Sequence, residues 1–169
     1  MRTVALLAAA SLTLAGCGGL RPLYGGGING PVQSMLATVD VAPIEGQSGW
    51  LVANALRDRI NTGRGAAQRY RLEVKLDDQI AGLGVRRDDS VARERRTLRA
   101  RYQLVDLSNG AVVLDATAGS DAGIDVVGSE YATIAAERSA LERLSGIVAD
   151  QIVARLARFA QSGAATPAQ

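Results

Sequence analysis

Seven arginines, Arg86, Arg87, Arg93, Arg95, Arg96, Arg99 and Arg101, fall within sixteen residues, opposed there only by Asp88, Asp89 and Glu94. Seven cations against three anions give that stretch a local charge of +4. A guanidinium carries a planar fork of donors that matches phosphate and carboxylate oxygens. The chemistry on offer is therefore anion recognition, either of an anionic lipid head group or of an acidic partner surface. The same arginines on a solvated strand face would only discourage edge-to-edge aggregation, and residue types alone leave both readings open. Asp77-Asp78 and Asp88-Asp89 are paired carboxylates; glycosidase-like hydrolysis needs two carboxyls across a sugar cleft, and a polar loop is the commoner home for such pairs. Most other catalytic chemistry is excluded. The 169 residues contain no histidine and a single cysteine, so the chain has no Ser-His-Asp or Cys-His pair, no zinc site of the usual kind and no internal disulfide. Gly82-Leu83-Gly84 and Gly25–Gly27 lack phosphate-loop spacing, and no Gly-x-Ser-x-Gly elbow occurs. A non-enzyme without metal or cofactor is expected, one that holds and positions things.

The single cysteine, Cys17, ends the most informative stretch. Met1-Arg2-Thr3 precedes an apolar run from Val4 to Leu14, followed by Leu14-Ala15-Gly16-Cys17. A basic start, a short apolar segment and small residues before a cut describe a secretory signal, and Leu-Ala-Gly-Cys matches the lipobox of bacterial lipoproteins. Residues 1–16 are then removed and Cys17 carries a covalent N-acyl and S-diacylglycerol lipid. Each buried methylene adds about 0.8 kcal/mol, so several chains hold a protein on a membrane without spanning it. Gly18, where an Asp would be the usual retention signal, favours the outer membrane on its periplasmic side. Loss of Arg2 leaves 18 basic against 17 acidic residues, which argues against nucleic acid as a partner.

The rest of the chain must position these groups. Residues 17–35 are Gly-rich and read as a lipidated tether, with Leu23 and Tyr24 as candidate docking residues. A strand is expected from Leu36 to Pro43, then a helix from Gly49 to about Asn61 capped by Ser48, with Val52, Leu56 and Ile60 in one stripe. Trp50 at its start is expected to be half-buried. Arg69 to Asp77 alternates cleanly as a half-buried strand; Ile80 to Asp89 reads as a loop or irregular extension. Thr97 to Val105 and Ala111 to Ala118 form a hairpin around Ser108-Asn109-Gly110. A loop, Gly119 to Gly128, precedes one long amphipathic helix from about Glu130 to Ala160. The fold class is α+β: a two-layer sandwich with a four-stranded mixed sheet and two amphipathic helices packed on one face. A single domain spans residues 36–161, followed by a polar tail, 162–169.

The ordered series of motifs resembles one family. The lipobox, Arg21-Pro22-Leu23-Tyr24-Gly25, Val39-Asp40-Val41-Ala42-Pro43-Ile44, Asn54-Ala55-Leu56-Arg57-Asp58 and Tyr70-Arg71-Leu72-Glu73-Val74 are similar to the LPS-assembly lipoprotein family LptE in its alphaproteobacterial form. Leu98-Arg99-Ala100-Arg101-Tyr102-Gln103-Leu104 and Ser129-Glu130-Tyr131-Ala132-Thr133-Ile134 extend the likeness over nearly the whole mature chain. The resemblance implies an outer-membrane lipoprotein that plugs the large β-barrel LptD, assists its assembly and contacts lipopolysaccharide on its way to the surface. It also gives the Arg86–Arg101 stretch a candidate ligand, the phosphates and acidic sugars of that glycolipid. Ala111 to Glu137 contains no Arg or Lys, so a two-sided basic clamp is not expected. Two alternatives stand beside this reading: an auxiliary periplasmic lipoprotein of a phospholipid ABC transport system, and a lipoprotein hydrolase acting through the Asp pairs.

Overall fold

In the computed structural model, which describes residues 30–60, 67–85, 91–126 and 128–164, the apolar positions read from the sequence converge between one sheet and its helices. The element order is α1 (Pro31–Leu36), β1 (Val39–Val41), α2 (Gly46–Ile60), β2 (Tyr70–Val85), β3 (Val91–Asp106), β4 (Val112–Asp125) and α3 (Glu130–Ala164). The sheet order is β1-β2-β3-β4. α2 connects β1 to its parallel partner β2, while β2, β3 and β4 form an antiparallel meander. This is the expected α+β sandwich with a four-stranded mixed sheet.

Period-2 alternation fixes the register. Leu72 of β2 lies opposite Leu104 of β3, which lies opposite Leu114 of β4, so apolar residues stack in rows on one face. Leu72, Leu98, Tyr102 and Leu104 meet Val52, Leu56 and Ile60 of α2 and Leu144, Val148, Ile152 and Leu156 of α3. Each buried aliphatic side chain of this kind contributes about 1.5–3 kcal/mol. The β3–β4 turn is built on Asp106: its carboxylate accepts bonds from the Ser108 amide and hydroxyl at 2.9 and 2.6 Å, and Gly110 takes φ +71°.

Several expectations are corrected. The tether gives way at Pro31 to α1, whose Val32 and Leu36 enter the core; Pro at the first helical position is favourable because its missing N–H would be unpaired anyway. A third helix therefore joins the two expected ones, and the strand expected from Leu36 to Pro43 shrinks to Val39–Val41. α2 begins at Gly46, so Ser48 lies inside it rather than capping it. Trp50 is 64% exposed, because the buried stripe runs through Gly49, Val52, Ala53 and Leu56. Of the two readings for the stretch from Ile80, the strand extension is the one observed, with β2 continuing to Val85, while the loop expected from Gly119 is strand, β4 continuing to Asp125. Glycines weaken strands in isolation, but pairing on β3 overrides that preference here. α3 runs to Ala164, into the expected tail. At 35 residues it is about 52 Å long, matching the 16-residue strands at about 53 Å.

Candidate interaction surface

The helices cover one face of the sheet, and alternation along β3 divides the arginines between the two faces. Arg93, Arg95, Arg99 and Arg101 project from the open face, with Thr97 between them and Gln103 after them. Arg96 falls in the opposite register, on the helix-covered side beside Leu98.

The open-face arginines meet a row of aspartates on β4. Arg93 Nε donates to Asp125 at 3.0 Å. Arg99 Nη2 donates to both oxygens of Asp121 at 3.2 and 3.1 Å, and the Thr97 hydroxyl adds a third bond at 2.7 Å. Arg101 reaches Asp115 through Nε and Nη2 at 3.3 and 2.9 Å, joined by Gln103 at 2.8 Å. The Asp121 carboxyl is held below the usual carboxylate range by Thr97 first and Arg99 second; that of Asp115 is lowered by Arg101, then Gln103. Arg95 is exposed opposite Gly123 and forms no ion pair with a described residue.

The +4 of the sequence stretch is thereby largely cancelled in space. Arg71 and Lys75 of β2 add two cations to this face, and Asp40, Glu73 and Asp77 add three anions. Six basic residues stand against six acidic ones among the described residues of the face. Exposed pairs of this kind contribute about 0–1 kcal/mol each, so the ladder orders side chains more than it stabilises the fold. Its chemical character is a neutral lattice of donors and acceptors suited to matching a polar surface, not a net field. A groove of about 520 Å³ crosses it between β1, β2 and β3, lined by Asp40, Pro43, Arg71, Lys75 and Arg101 among others.

Gly119 shows how tightly the ladder is built. A Cβ there would lie 2.5 Å from Cδ of Arg99, so a residue without a side chain lets the Arg99 stem lie across β4 toward Asp121. On the free edge of β4, Gln151 of α3 accepts from the Gly119 amide at 3.0 Å and donates to its carbonyl at 3.3 Å.

On the inner face, Arg96 forks onto Asp78 at 2.8 and 2.7 Å and donates to the Glu137 carbonyl of α3 at 3.1 Å. Asp77 projects to the other face and accepts from Gln79. Asp77 and Asp78 therefore do not converge on a cleft. Among the described residues no group of three or more metal-ligating side chains occurs, and no described helix is long and apolar enough to cross a membrane. Cys17, Leu23, Tyr24, Arg86, Arg87, Asp88 and Asp89 lie outside the described residues. The β4 aspartates are not legible as partners in the sequence because they stand 14 to 32 residues from their arginines.

A four-stranded sheet with helices packed on one face is a fold this chain shares with bacterial lipoproteins. The chain is similar to a protein from Caulobacter crescentus CB15 assigned as a lipoprotein: 26% identity, 82% of this chain and 100% of that one, TM-score 0.64. It shares the fold of the rare lipoprotein B of Shewanella oneidensis (14% identity, 76% and 98% covered, TM-score 0.54) and of an uncharacterized lipoprotein B of Nitrosomonas europaea (11% identity, 74% and 83% covered, TM-score 0.55). No curated protein matches the chain. A family model does, over residues 36–156, and the chain belongs to that family, LptE, described as lipopolysaccharide-assembly. The family is one of non-catalytic lipoproteins, in line with the residue inventory.

Proposed function

We propose that this protein is an outer-membrane lipoprotein, held by lipid on Cys17, that plugs and helps assemble an LptD-type β-barrel and contacts lipopolysaccharide during its delivery to the cell surface. The observation that carries the reading is the family match across the folded domain. The architecture supports it. An uncovered sheet face with six charges of each sign can pair with the polar wall of a water-filled barrel without leaving a net charge unmatched. The rod-like dimensions, about 52 Å along α3, suit a plug lying along a barrel axis.

In this reading the Arg93–Arg101 ladder is chiefly a partner surface. Arg95, which forms no ion pair with a described residue, is the described arginine of the stretch left to meet the glycolipid's phosphates. Depletion of the protein tests the function: surface lipopolysaccharide and the mature barrel should both fall. Normal levels of both would refute it.

A further inference from the structure

The two edges of the sheet differ. On β4, Gln151 accepts from the Gly119 amide and donates to its carbonyl, so a side chain occupies that edge midway. On the opposite side β1 is three residues long and pairs with β2 only over Tyr70–Leu72, although β2 runs on to Val85. The Ala42 amide still bonds to the Leu72 carbonyl at 3.0 Å, but Pro43 follows and has no N–H with which to continue the ladder. That bond, with the one from the Tyr70 amide to the Thr38 carbonyl at 3.1 Å, fixes the parity: even-numbered residues of β2 turn their backbone groups toward β1, odd-numbered ones toward β3. Beyond β1, the N–H and C=O groups of Leu76, Asp78, Ile80 and Gly82 therefore point out of the sheet, and no described backbone or side chain caps them as Gln151 caps Gly119. Such a row is a template for another strand.

The flanking side chains specify what would fit. On the covered face Leu76 is only partly buried and Ile80 is 43% exposed, whereas Leu98 and Ala100 of β3 are closed off. On the open face Lys75 is exposed, stands opposite Arg101 and has no ion pair with a described residue. Like charges opposite one another across strands are unfavourable, so an acid beside Lys75 would relieve both. Asp77, two residues on, accepts from the Gln79 side chain and would take a base beside it. The groove of about 520 Å³ begins at the step where β1 stops, with Pro43, Val74 and Lys75 in its wall. A strand laid from Lys75 to Gly82 spans about 27 Å and alternates its side chains between the two faces. Outside the described residues this chain carries acids only at Asp88-Asp89, which join β2 to β3 directly, so the acid comes from another molecule.

We propose that the β2 edge from Lys75 to Gly82 receives an extended segment of a partner protein, which adds to the sheet as a fifth strand with apolar residues on the covered face and an acid beside Lys75. The proposal does not depend on the barrel-plug reading. The test titrates the full lipidated protein in neutral detergent with two labelled seven-residue peptides, Glu-Val-Lys-Val-Thr-Val-Thr and its reverse, since the edge admits either strand direction. Saturable binding of one of them is expected. Methylating alternate backbone nitrogens of that peptide should abolish binding in one phase and spare it in the other. Ile80→Pro removes an outward N–H without touching a bond to β3, and should weaken binding roughly tenfold or more. Lys75→Glu should weaken it severalfold and transfer the preference to peptides with Glu and Lys exchanged. The methylated peptides read the same contact on the parent protein, so a misfolded Ile80→Pro leaves the test intact. No binding of either peptide, or binding indifferent to the phase of methylation, overturns the proposal whatever the depletion phenotype. A dimer in sedimentation that Ile80→Pro abolishes, without peptide binding, would give the edge to a second copy and overturn it as well.

Discussion

Arg96 of β3 grips Asp78 of β2 with two parallel hydrogen bonds of 2.8 and 2.7 Å, on the covered side of the sheet, and directs a further donor to the backbone of α3. The two side chains are 13% and 19% exposed, the least accessible of the ion pairs between described residues apart from the Asp106 carboxylate. One arginine of the candidate binding stretch is thus committed to fastening β2, β3 and α3 together.

Asp78→Ala should therefore cost stability, since it strands a mostly buried guanidinium. A loss of about 3 kcal/mol is expected in denaturant unfolding. Asp78→Ala/Arg96→Met, which removes both charges, should recover much of it. Equal losses in the single and double variants would show that the pair is not coupled.

Gly49→Ala gives a sign that distinguishes packing from propensity. Inside a helix Ala is normally favoured over Gly by about 1 kcal/mol. Here the new methyl would sit 2.6 Å from the Ile44 carbonyl oxygen, a backbone atom that cannot move aside cheaply. Net destabilisation of about 1–3 kcal/mol is expected; a rise in Tm would contradict the contact.

The strands and the long helix are legible in the sequence where apolar residues repeat, as in Leu72 and Val74 of β2 and Leu144, Val148 and Ile152 of α3. Gly82, Gly119 and Gly123 look like loop markers, because what keeps them extended is a partner strand and not their own preference. α1 hides behind a glycine run and is six residues long, too short to display a period. The arginines are visible as residues, but their neutralisation depends on a register set between β3 and β4, a non-local property.

Acid should loosen the β3–β4 unit. Asp106, held down by Ser108, and Asp115 and Asp121, held down by the ladder donors, all have folded pKa values below their ordinary ones. Their contribution is complete above the unfolded carboxylate range, about 4, and is lost as pH falls through the lower folded values. Tm should accordingly be flat from neutral pH to about pH 5 and fall below about pH 4. Asp106→Asn should flatten part of that slope. A Tm that rises on acidification would contradict the assignment.

Trp50, the chain's single tryptophan, reports on its own exposure. Its emission in the isolated protein should be that of a solvated indole, and Trp50→Ala should change stability by no more than about 0.5 kcal/mol. Blue-shifted emission in the isolated protein would contradict the placement of this side chain outside the core.

Whole-cell crosslinking followed by purification of the lipidated protein tests most directly whether this LptE-family lipoprotein works inside an outer-membrane barrel. Recovery of an LptD-type barrel in a covalent complex with it is the expected result. Recovery of an inner-membrane permease complex, with no barrel attached, would contradict that role.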